Sequence, residues 1–404
     1  MVSCRAPIHW AGRAQPAGRR ATRWKTPLSE LSSLLTRNHN NMRNREGLQL
    51  SKKKHAATTW VRIVVAAAVA GSAFALTGSS FGAEKTTVRI GVTNASSDVA
   101  FHISDDRGFF AEEGLAPEYI PFKSATDMVA PLATGQLDVG GGGASAALYN
   151  AAARGLELRI VADKGSMPAG YGYMLLVVRK DLVDSGKVKS FADLKGLKIG
   201  NSSSGGSGDA LLNAALIKGG LKFSDVTRVY MSFPQLGFAF KNRAIDAAFL
   251  TEPNASEPVQ AGDAVKFARG DEIYPDQALA VILYGPSLLK NRDIGQRFMN
   301  AYFKAVRVYN DALKGGRLAG EEGDYVIDML VKNTNVKDRD ILRNMVPHGS
   351  NPAGAVNIKS LGDDYRFYKS QGLIPKDIDP NSIVDNSFAE AASAKLGQYR
   401  QTTQ

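Results

Sequence analysis

Residues 200–216 join a serine- and glycine-rich loop to the start of an apolar helical segment. The loop at 200–207 has the spacing of a phosphate-binding P-loop, but Gly206 stands where that motif needs lysine, which disfavours nucleoside triphosphate chemistry. A flexible linker is also disfavoured, because the loop lies between a predicted strand at 197–200 and a predicted helix at 209–218. It therefore offers N–H groups and hydroxyls, including Ser203, Ser204 and Ser207, to an anionic or polar ligand at a helix N-terminus. The alternative is N-capping by one serine with nothing bound.

A second glycine-rich stretch, at 140–146, resembles a dinucleotide-binding turn. Gly141, Gly143 and Ala146 have the spacing of that fingerprint, and Asp163 follows about 20 residues later. The context is wrong, because the fingerprint follows the long first strand of its unit and this one follows a short third strand. We therefore predict no cofactor. The turn still opens a helix, so Gly143, Ala144 and Ser145 are candidate ligand-binding residues.

Small polar clusters follow several other predicted strands. In open α/β sheets, ligands bind beyond the carboxyl ends of the strands, and each cluster lies at such an end. The candidates from these clusters are Asn94, Ser97, Ser124 and Glu252, with Phe233 as an apolar wall. Each cluster alone is ordinary turn chemistry, and Glu252 either contacts the ligand or caps the next helix. Their joint placement predicts a binding site shared by two lobes.

Catalytic and metal-binding motifs are missing from the sequence. There is no G-x-S-x-G, H-E-x-x-H or C-x-x-C, and Cys4 is the only cysteine. Beyond the first 83 residues only His102 and His348 remain, and we expect both to be structural. The sequence thus predicts a binding protein without catalytic residues or metal. The alternative is a secreted enzyme on the same two-lobed scaffold.

The net charge of +11 is confined to the N-terminal segment. Residues 84–404 hold 37 basic and 37 acidic residues, which removes the argument for a nucleic-acid partner. Residues 42–83 have the order of a signal peptide, with lysines at 52–54, an apolar run at 61–76 and small residues before Ala83. The apolar run is shorter than the roughly 20 residues of a membrane-spanning helix. We expect translation to start at Met42, residues 1–41 to be a mis-assigned extension, and the product to be periplasmic.

The remaining chain alternates short β-branched strands with Ala- and Leu-rich helices, and such alternation predicts an α/β fold with mostly parallel sheets. We expect lobe one at 84–177, lobe two at 178–280, and a return to lobe one with C-terminal helices at 281–404. The two interlobe crossovers are expected near 174–180 and 278–284. Pro131 is expected to kink or shorten a helix at 127–134. The long segment 167–173 is expected to bring an aromatic residue to the cleft.

Several segments resemble the nitrate/sulfonate/taurine-type periplasmic solute-binding proteins, a group similar to the pyrimidine-precursor synthases. The resemblance lies in residues 107–115, 132–139, 153–155, 178–181, 191–200, 240–246 and 251–253. It implies a two-lobed, type II-like binding protein that captures a small solute for an ABC permease of the inner membrane, as a monomer. The solute classes it implies are sulfonates, nitrate-like anions, carboxylates and pyrimidines. The related synthases carry a cysteine-rich motif that is missing here.

Overall fold

The computed structural model describes residues 85–401. The predicted signal peptide, the 1–41 extension and Met42 lie outside these residues. The described chain contains two five-stranded sheets and a short two-stranded ribbon. The strands are β1 (Thr86–Val92), β2 (Leu115–Pro121), β3 (Val139–Gly142), β4 (Arg159–Gly165), β5 (Met174–Arg179), β6 (Lys198–Asn201), β7 (Thr227–Tyr230), β8 (Ala247–Thr251), β9 (Ala264–Arg269), β10 (Ala280–Tyr284), β11 (Leu313–Lys314) and β12 (Arg317–Leu318).

Helices flank both sheets, which confirms the predicted α/β class. They are α1 (Val99–Asp106), α2 (Phe109–Glu112), α3 (Val129–Ala133), α4 (Ala146–Ala153), α5 (Lys180–Asp184), α6 (Ser207–Lys218), α7 (Phe233–Lys241), α8 (Ser256–Gln260), α9 (Gly270–Ile273), α10 (Pro286–Lys290), α11 (Arg292–Ala312), α12 (Gly320–Asn333), α13 (Arg339–Asn344), α14 (Ile358–Ser370) and α15 (Ser387–Leu396). None of the helices in residues 85–401 combines the length and the apolar character needed to span a membrane.

Each sheet has four strands in one direction and one that opposes them. The first sheet has the order β2-β1-β3-β10-β4, with β1 parallel to β2 and β3, and β10 antiparallel to β3 and β4. The second has the order β7-β6-β8-β5-β9, with β6 parallel to β7 and β8, and β5 antiparallel to β8 and β9. The odd strand of each sheet is the one that follows a crossing from the other lobe. Strands buried on both faces explain their continuous apolar sequences, as in the fully buried β10.

The chain crosses between the lobes at 166–173 and again at 274–279. The first crossing ends before Met174, because β5 already pairs with the second sheet, so lobe two begins before the expected boundary at 177/178. The two crossings bond to each other: Met167 N donates to Gln277 O at 3.1 Å and Asp276 N donates to Met167 O at 2.9 Å. They therefore form one joined hinge between the sheets.

The C-terminal helices differ from the expected simple return to lobe one. Helices α11 and α15 pack against lobe one, with α11 covering α1 and α2. Helix α14 instead contacts α6 of lobe two, and Phe367 packs edge-on against Phe223 with ring centroids 5.0 Å apart. The same helix also reaches lobe one, where Tyr368 OH donates to Ala144 O at 3.0 Å. Helix α14 thus bridges both lobes behind the hinge.

Two local interruptions follow from single residues. The segment predicted as one helix at 99–110 breaks into α1 and α2 at Gly108, whose φ of 74° is left-handed. Pro131 lies third in the five-residue helix α3, in the first turn, where its missing N–H has no intrahelical partner to lose. The helix is short, as expected, and begins after the turn Ala125–Met128 rather than at 127.

Candidate functional site

A polar cleft lies between the lobes, where the carboxyl ends of β1, β2, β3, β6 and β8 converge. About 50 Å³ of it is free for a water-sized group, room for a few waters or a small ligand. The residues that line it are Thr93, Ala95, Ser97, Ser124, Ala125, Thr126, Gly142, Gly143, Lys164, Tyr173, Met174, Ser202, Ser203, Gly206, Ser207, Gly208, Phe233, Thr251, Leu279 and Ala280. This placement follows the rule that α/β sheets bind ligands beyond their strand ends.

The serine- and glycine-rich loop after β6 is fixed by its own polar neighbours. Asn201 at the end of β6 accepts from Ser202 N at 2.8 Å and donates to Asp209 at 3.0 Å. The Asp209 carboxylate also accepts from Gly205 N at 2.9 Å, in the first turn of α6. Burial raises the pKa of Asp209 to about 6. The loop is therefore a rigid strand-to-helix turn, fixed by the bonds of Asp209 to Asn201 and Gly205.

The glycines of β3 and its turn are closely surrounded, and the last of them, Gly143, lies against the opposite lobe. A side chain at Gly142 would collide with Ala125, and one at Gly143 would collide with Ser207 of the opposite lobe. At Gly143 the added carbon would also lie 2.9 Å from Leu279 O. Gly140, Gly141 and Gly142 are thus required by tight packing within lobe one, and Gly143 is required by the close approach of the other lobe.

Direct hydrogen bonds between the lobes close the mouth of the cleft. The hydroxyls of Thr126 and Ser203 lie 3.0 Å apart, and Ala146 N donates to Gly205 O at 2.9 Å. On another edge Ser96 N donates to Glu252 O at 2.7 Å, and the Asn254 amide donates to Asn94 O at 2.9 Å. The structure is therefore a closed state, in which polar groups of both lobes face an enclosed space.

Lys164, near the end of β4, brings a positive charge to the cleft. Its side chain is 1% exposed, and its Nζ lies 2.8 Å from Asp98 Oδ1 and donates to Ser97 Oγ at 2.8 Å. Asp98 in turn accepts from Thr93 N at 3.0 Å and Ala95 N at 3.1 Å through its other oxygen. The cleft thus contains an ammonium group held in place by a buried carboxylate.

Two further polar side chains of the lining come from the end of the first crossing, just before β5, and from β8. Burial raises the pKa of Tyr173 far above its usual value, so its phenol keeps its proton and remains a hydrogen-bond donor. Thr251 is 4% exposed, and its hydroxyl has no partner among residues 85–401. Buried hydroxyls are normally paired, so Thr251 leaves a position for a group bound in the cleft.

Six of the eleven residues expected at the site line the cleft. They are Ser97, Ser124, Gly143, Ser203, Ser207 and Phe233. The expected placement of the other five needs correction, for a different reason in each case. Ser204 is exposed, and Ser145 caps α4 by accepting from Leu148 N. Ala144 is outside the lining and its carbonyl accepts from Tyr368 OH. Asn94 contributes only its carbonyl, which accepts from Asn254 of the other lobe. Glu252 is fully buried and caps α8 by accepting from Ser256 N at 3.0 Å, which settles its role in favour of capping.

The lining also contains residues that the sequence reasoning missed: Thr126, Lys164, Tyr173 and Thr251. Thr126 and Thr251 belong to the polar clusters that supplied Ser124 and Glu252, and Lys164 lies at a strand end that contains no such cluster. Its neighbour Asp163, noted for the dinucleotide spacing, is not in the lining and accepts from Asn351 N at 2.8 Å. Burial raises the pKa of Asp163 to about 7. Tyr173 fits the expectation that segment 167–173 carries an aromatic residue to the cleft.

The two histidines of the described chain lie outside the cleft lining. His102 stacks near Tyr119, with ring centroids 4.6 Å apart, and its burial lowers its pKa. His348 is buried beside Tyr309, whose hydroxyl lies 2.9 Å from Nδ1. Within residues 85–401 no three His, Cys, Asp or Glu side chains are grouped closely enough to hold a metal ion.

Part of the sequence is similar to that of a known binding protein. A protein of Brucella abortus described as a binding protein is 32% identical over 178 residues, which cover 43% of this chain and 51% of the relative. The match thus spans about half the length of that relative.

The fold is shared with solved structures of low sequence identity. The alkanesulfonate-binding protein SsuA of Xanthomonas axonopodis is 20% identical, with a TM-score of 0.57 over 75% of this chain and 99% of the other. The periplasmic nitrate-binding protein NrtA of Synechocystis is 14% identical, with a TM-score of 0.63 over 78% and 89%. The desulfurization enzyme DSZB is 16% identical, with a TM-score of 0.55 over 78% and 100%. The two-lobed architecture therefore serves binding proteins and at least one enzyme.

A family model assigns the central part of the chain. The NMT1/THI5-like model matches residues 98–311, more than half of the sequence and nearly all of both sheets. The resemblance expected from the sequence motifs is confirmed at this level, and the chain belongs to the NMT1/THI5-like family.

Proposed function

We propose that the protein captures a small anionic or polar organic solute between its lobes and delivers it to an ABC permease of the inner membrane. The single observation that carries the proposal is the closed interlobe cleft, where buried polar groups of both lobes face about 50 Å³ of free space. The structural neighbours named for alkanesulfonate and nitrate binding support the same class of function. The candidate solutes are sulfonates, nitrate-like anions, carboxylates and pyrimidines, and the limited space favours the smaller ones.

Solute capture follows from the way the cleft is assembled. Lobe one contributes Ser97 and Ser124, and lobe two contributes Ser203 and Ser207. A solute contacts both sets only when the lobes meet, so it binds the closed state better and shifts the population toward it. Most donors of the cleft are neutral, and the ammonium of Lys164 is already paired with Asp98, so the solute does not acquire a cation of its own and can be released.

The location of the protein is part of the proposal. The structural neighbours include periplasmic binding proteins, which supports export. The expected product is a periplasmic protein cleaved near Ala83, and mass spectrometry of the exported chain measures that end. A retained N-terminal segment in the membrane fraction would contradict export by cleavage.

The binding test begins with a thermal-shift screen of sulfonates, nitrate, bicarbonate, carboxylates and pyrimidines. A solute that raises the melting temperature should return chemically unchanged after incubation. Turnover of that solute by the purified protein would favour the alternative, an enzyme on the same fold as DSZB.

Substitutions in the loop after β6 then test the cleft itself. We expect Ser203→Ala with Ser207→Ala to weaken binding by about 1–3 kcal/mol, the effect of losing partners for a buried polar group. Ser204→Ala is the matched control, because this serine lies in the same loop but is exposed outside the cleft. Calorimetry should show unchanged affinity for the control. Equal effects of the two variants would place the binding site elsewhere.

A further inference from the structure

Lys164 alone among the cleft-lining residues carries a formal charge. The ammonium group has three donors, and one of them bonds to the Ser97 hydroxyl. Asp98 Oδ1 lies 2.8 Å from the ammonium as its ion-pair partner, without a hydrogen bond between them. Lys164 is part of the lining and Asp98 is not, so the member of this ion pair that a bound solute can contact is the positive one. At least one N–H therefore remains available to a bound group.

The surroundings of Lys164 leave it little freedom to move. Its aliphatic chain lies against Gly141, where an added Cβ would come 2.7 Å from Lys164 Cε and 2.8 Å from the Phe101 ring. The Nζ lies 5.8 Å from the centre of that ring. Asp98 is itself fixed by Thr93 N and Ala95 N. The ammonium is thus held in one position by packing on one side and by a bonded carboxylate on the other.

We infer that Lys164 is the specificity-determining residue of the cleft, selecting a solute with a single negative charge, and that Asp98 is its positioning residue. The inference rests on the proposed function and narrows it. A neutral solute would leave the buried ammonium donor unsatisfied, and sites built for a partner reject analogues that lack it. A dianion would bring a second negative charge next to Asp98 with no further cation in the lining, and an unpaired buried charge is costly.

The unpartnered hydroxyl of Thr251 supplies an independent sign of a bound group on the opposite lobe. Together, Lys164 on lobe one and Thr251 on lobe two would hold a small anion from both sides, with donors only. The free space of about 50 Å³ suits an acid group with a short substituent. Monoanionic carboxylates and sulfonates with few carbon atoms fit this description.

Matched pairs of acid and amide test the inference. Calorimetry with acetate against acetamide, and methanesulfonate against methanesulfonamide, measures the preference for charge at nearly constant shape. Sulfate serves as the dianion. For the natural protein we expect at least one monoanion to bind about 10- to 100-fold more tightly than its neutral partner, the range for a hydrogen bond to a charged group. Sulfate should bind more weakly than that monoanion.

The decisive variant replaces both members of the pair, Asp98→Asn with Lys164→Met. Neutral residues of similar volume are tolerated in place of a buried ion pair, and asparagine still accepts from Thr93 N or Ala95 N. The matched control is Glu112→Gln with Lys304→Met, an ion pair at 2.6 Å on lobe one away from the cleft. We expect the cleft variant to lose the preference for the anion and the control to keep it, with both cooperatively folded in thermal melts.

Each outcome decides between the inference and the broader proposal. Retained preference for the anion in the cleft variant overturns the role of Lys164 while solute binding stands. Equal binding of acid and amide, or tighter binding of sulfate, by the natural protein overturns it as well. A failure of the paired variant to fold moves the test to Lys164→Gln, which keeps a donor and must still lose the preference for charge. Absence of binding by every solute class in the thermal-shift screen overturns the proposed function together with the inference.

Discussion

Gly143 and Ser207 face each other across the cleft with no room for a methyl group between them. Gly143→Ala should therefore hold the lobes slightly apart and weaken solute binding by about 1–3 kcal/mol, the cost of overpacking a tight contact. The backbone of Gly143 is not left-handed, so alanine is tolerated within lobe one and stability should change little. Calorimetry and thermal melts measure the two effects separately.

Gly237→Ala is the control for that substitution. This glycine lies inside α7, and an added Cβ would have only the end of Glu257 near it, at 3.9 Å. Alanine should leave affinity unchanged and raise stability by up to about 1 kcal/mol, because it is the better helix residue. Normal affinity in Gly143→Ala would show that closure does not need this contact.

At the residue scale the sequence located cleft positions where a polar residue directly follows a strand, and ligand binding by these residues stays a prediction. Ser97, Ser124 and Ser207 follow strands and line the cleft. The same reasoning failed for Ser204, because adjacent loop residues point in different directions and composition does not reveal which one faces inward. Glu252 shows a second limit: a buried carboxylate at a helix start serves the helix or a ligand equally well on sequence grounds. Only its bonds to Ser256 and Lys266 identify the first role.

At the scale of elements, helix α14 connects parts of the chain that are distant in sequence. Its Ser360 accepts from Ala278 N at 3.0 Å, and its Asp364 accepts from the Gln277 amide at 3.2 Å. The same amide donates to Ser207 O at 3.1 Å, at the start of α6. The helix thus fixes the second crossing segment against the loop that lines the cleft.

Asp364 gives this helix a measurable pH dependence. Burial raises the pKa of Asp364 to about 8, whereas in the unfolded chain it is about 4. Between these values the folded protein holds one more proton, so the free energy of unfolding falls as pH rises, by at most about 1.4 kcal/mol per pH unit. Asp364→Asn should remove this fall between pH 7 and 8. Denaturant unfolding at the two pH values measures it.

Asp363→Asn is the control, since this neighbour on the same helix is partly exposed and pairs with Lys359. It should keep most of the pH dependence of the natural protein, because burial is the main cause of the raised pKa of Asp364 and the charge of Asp363 is a small one. Asp163 and Asp209 also have raised pKa values, about 7 and about 6, and contribute mainly at lower pH. A pH dependence that persists in Asp364→Asn between pH 7 and 8 would assign the effect to another group.

The elements themselves were largely predictable, and their partners were less so. Buried strands such as β5 and β10 are long apolar runs, and α6 ends at Gly219 as glycine-terminated helices do. Strand β9 was missed, because Lys266 and Arg269 interrupt its apolar residues. A helix was expected at 359–371, where α14 lies, but it was assigned to lobe one. An amphipathic pattern shows that a helix has a buried face, but it does not identify the surface that covers it.

The whole molecule is held closed by few bonds at the mouth of the cleft. Thr126→Val removes the contact with Ser203 while preserving side-chain shape. We expect affinity to fall by about 0.5–1.5 kcal/mol, mainly through faster dissociation, because losing a contact of the closed state shortens the life of the complex. Stopped-flow measurement of association and dissociation with a solute found in the screen separates the two rates.

Thr227→Val is the control for this substitution, since Thr227 is an exposed residue of β7 away from the cleft. It should leave both rates unchanged. A slower association with normal dissociation in Thr126→Val would mean that the contact guides entry rather than holding the closed state.

The two crossings and helix α14 also determine how the lobes can open. The two crossings are neighbours and are bonded to each other. They allow one lobe to rotate about a single axis and suppress sliding of one lobe along the other. Helix α14 adds a third connection, because its Phe367 packs on lobe two and its Tyr368 bonds to lobe one. Wide opening of the cleft must therefore strain or break a contact of this helix, so the helix limits how far the lobes can separate. The travel of the lobes is limited by a helix that never touches what they enclose.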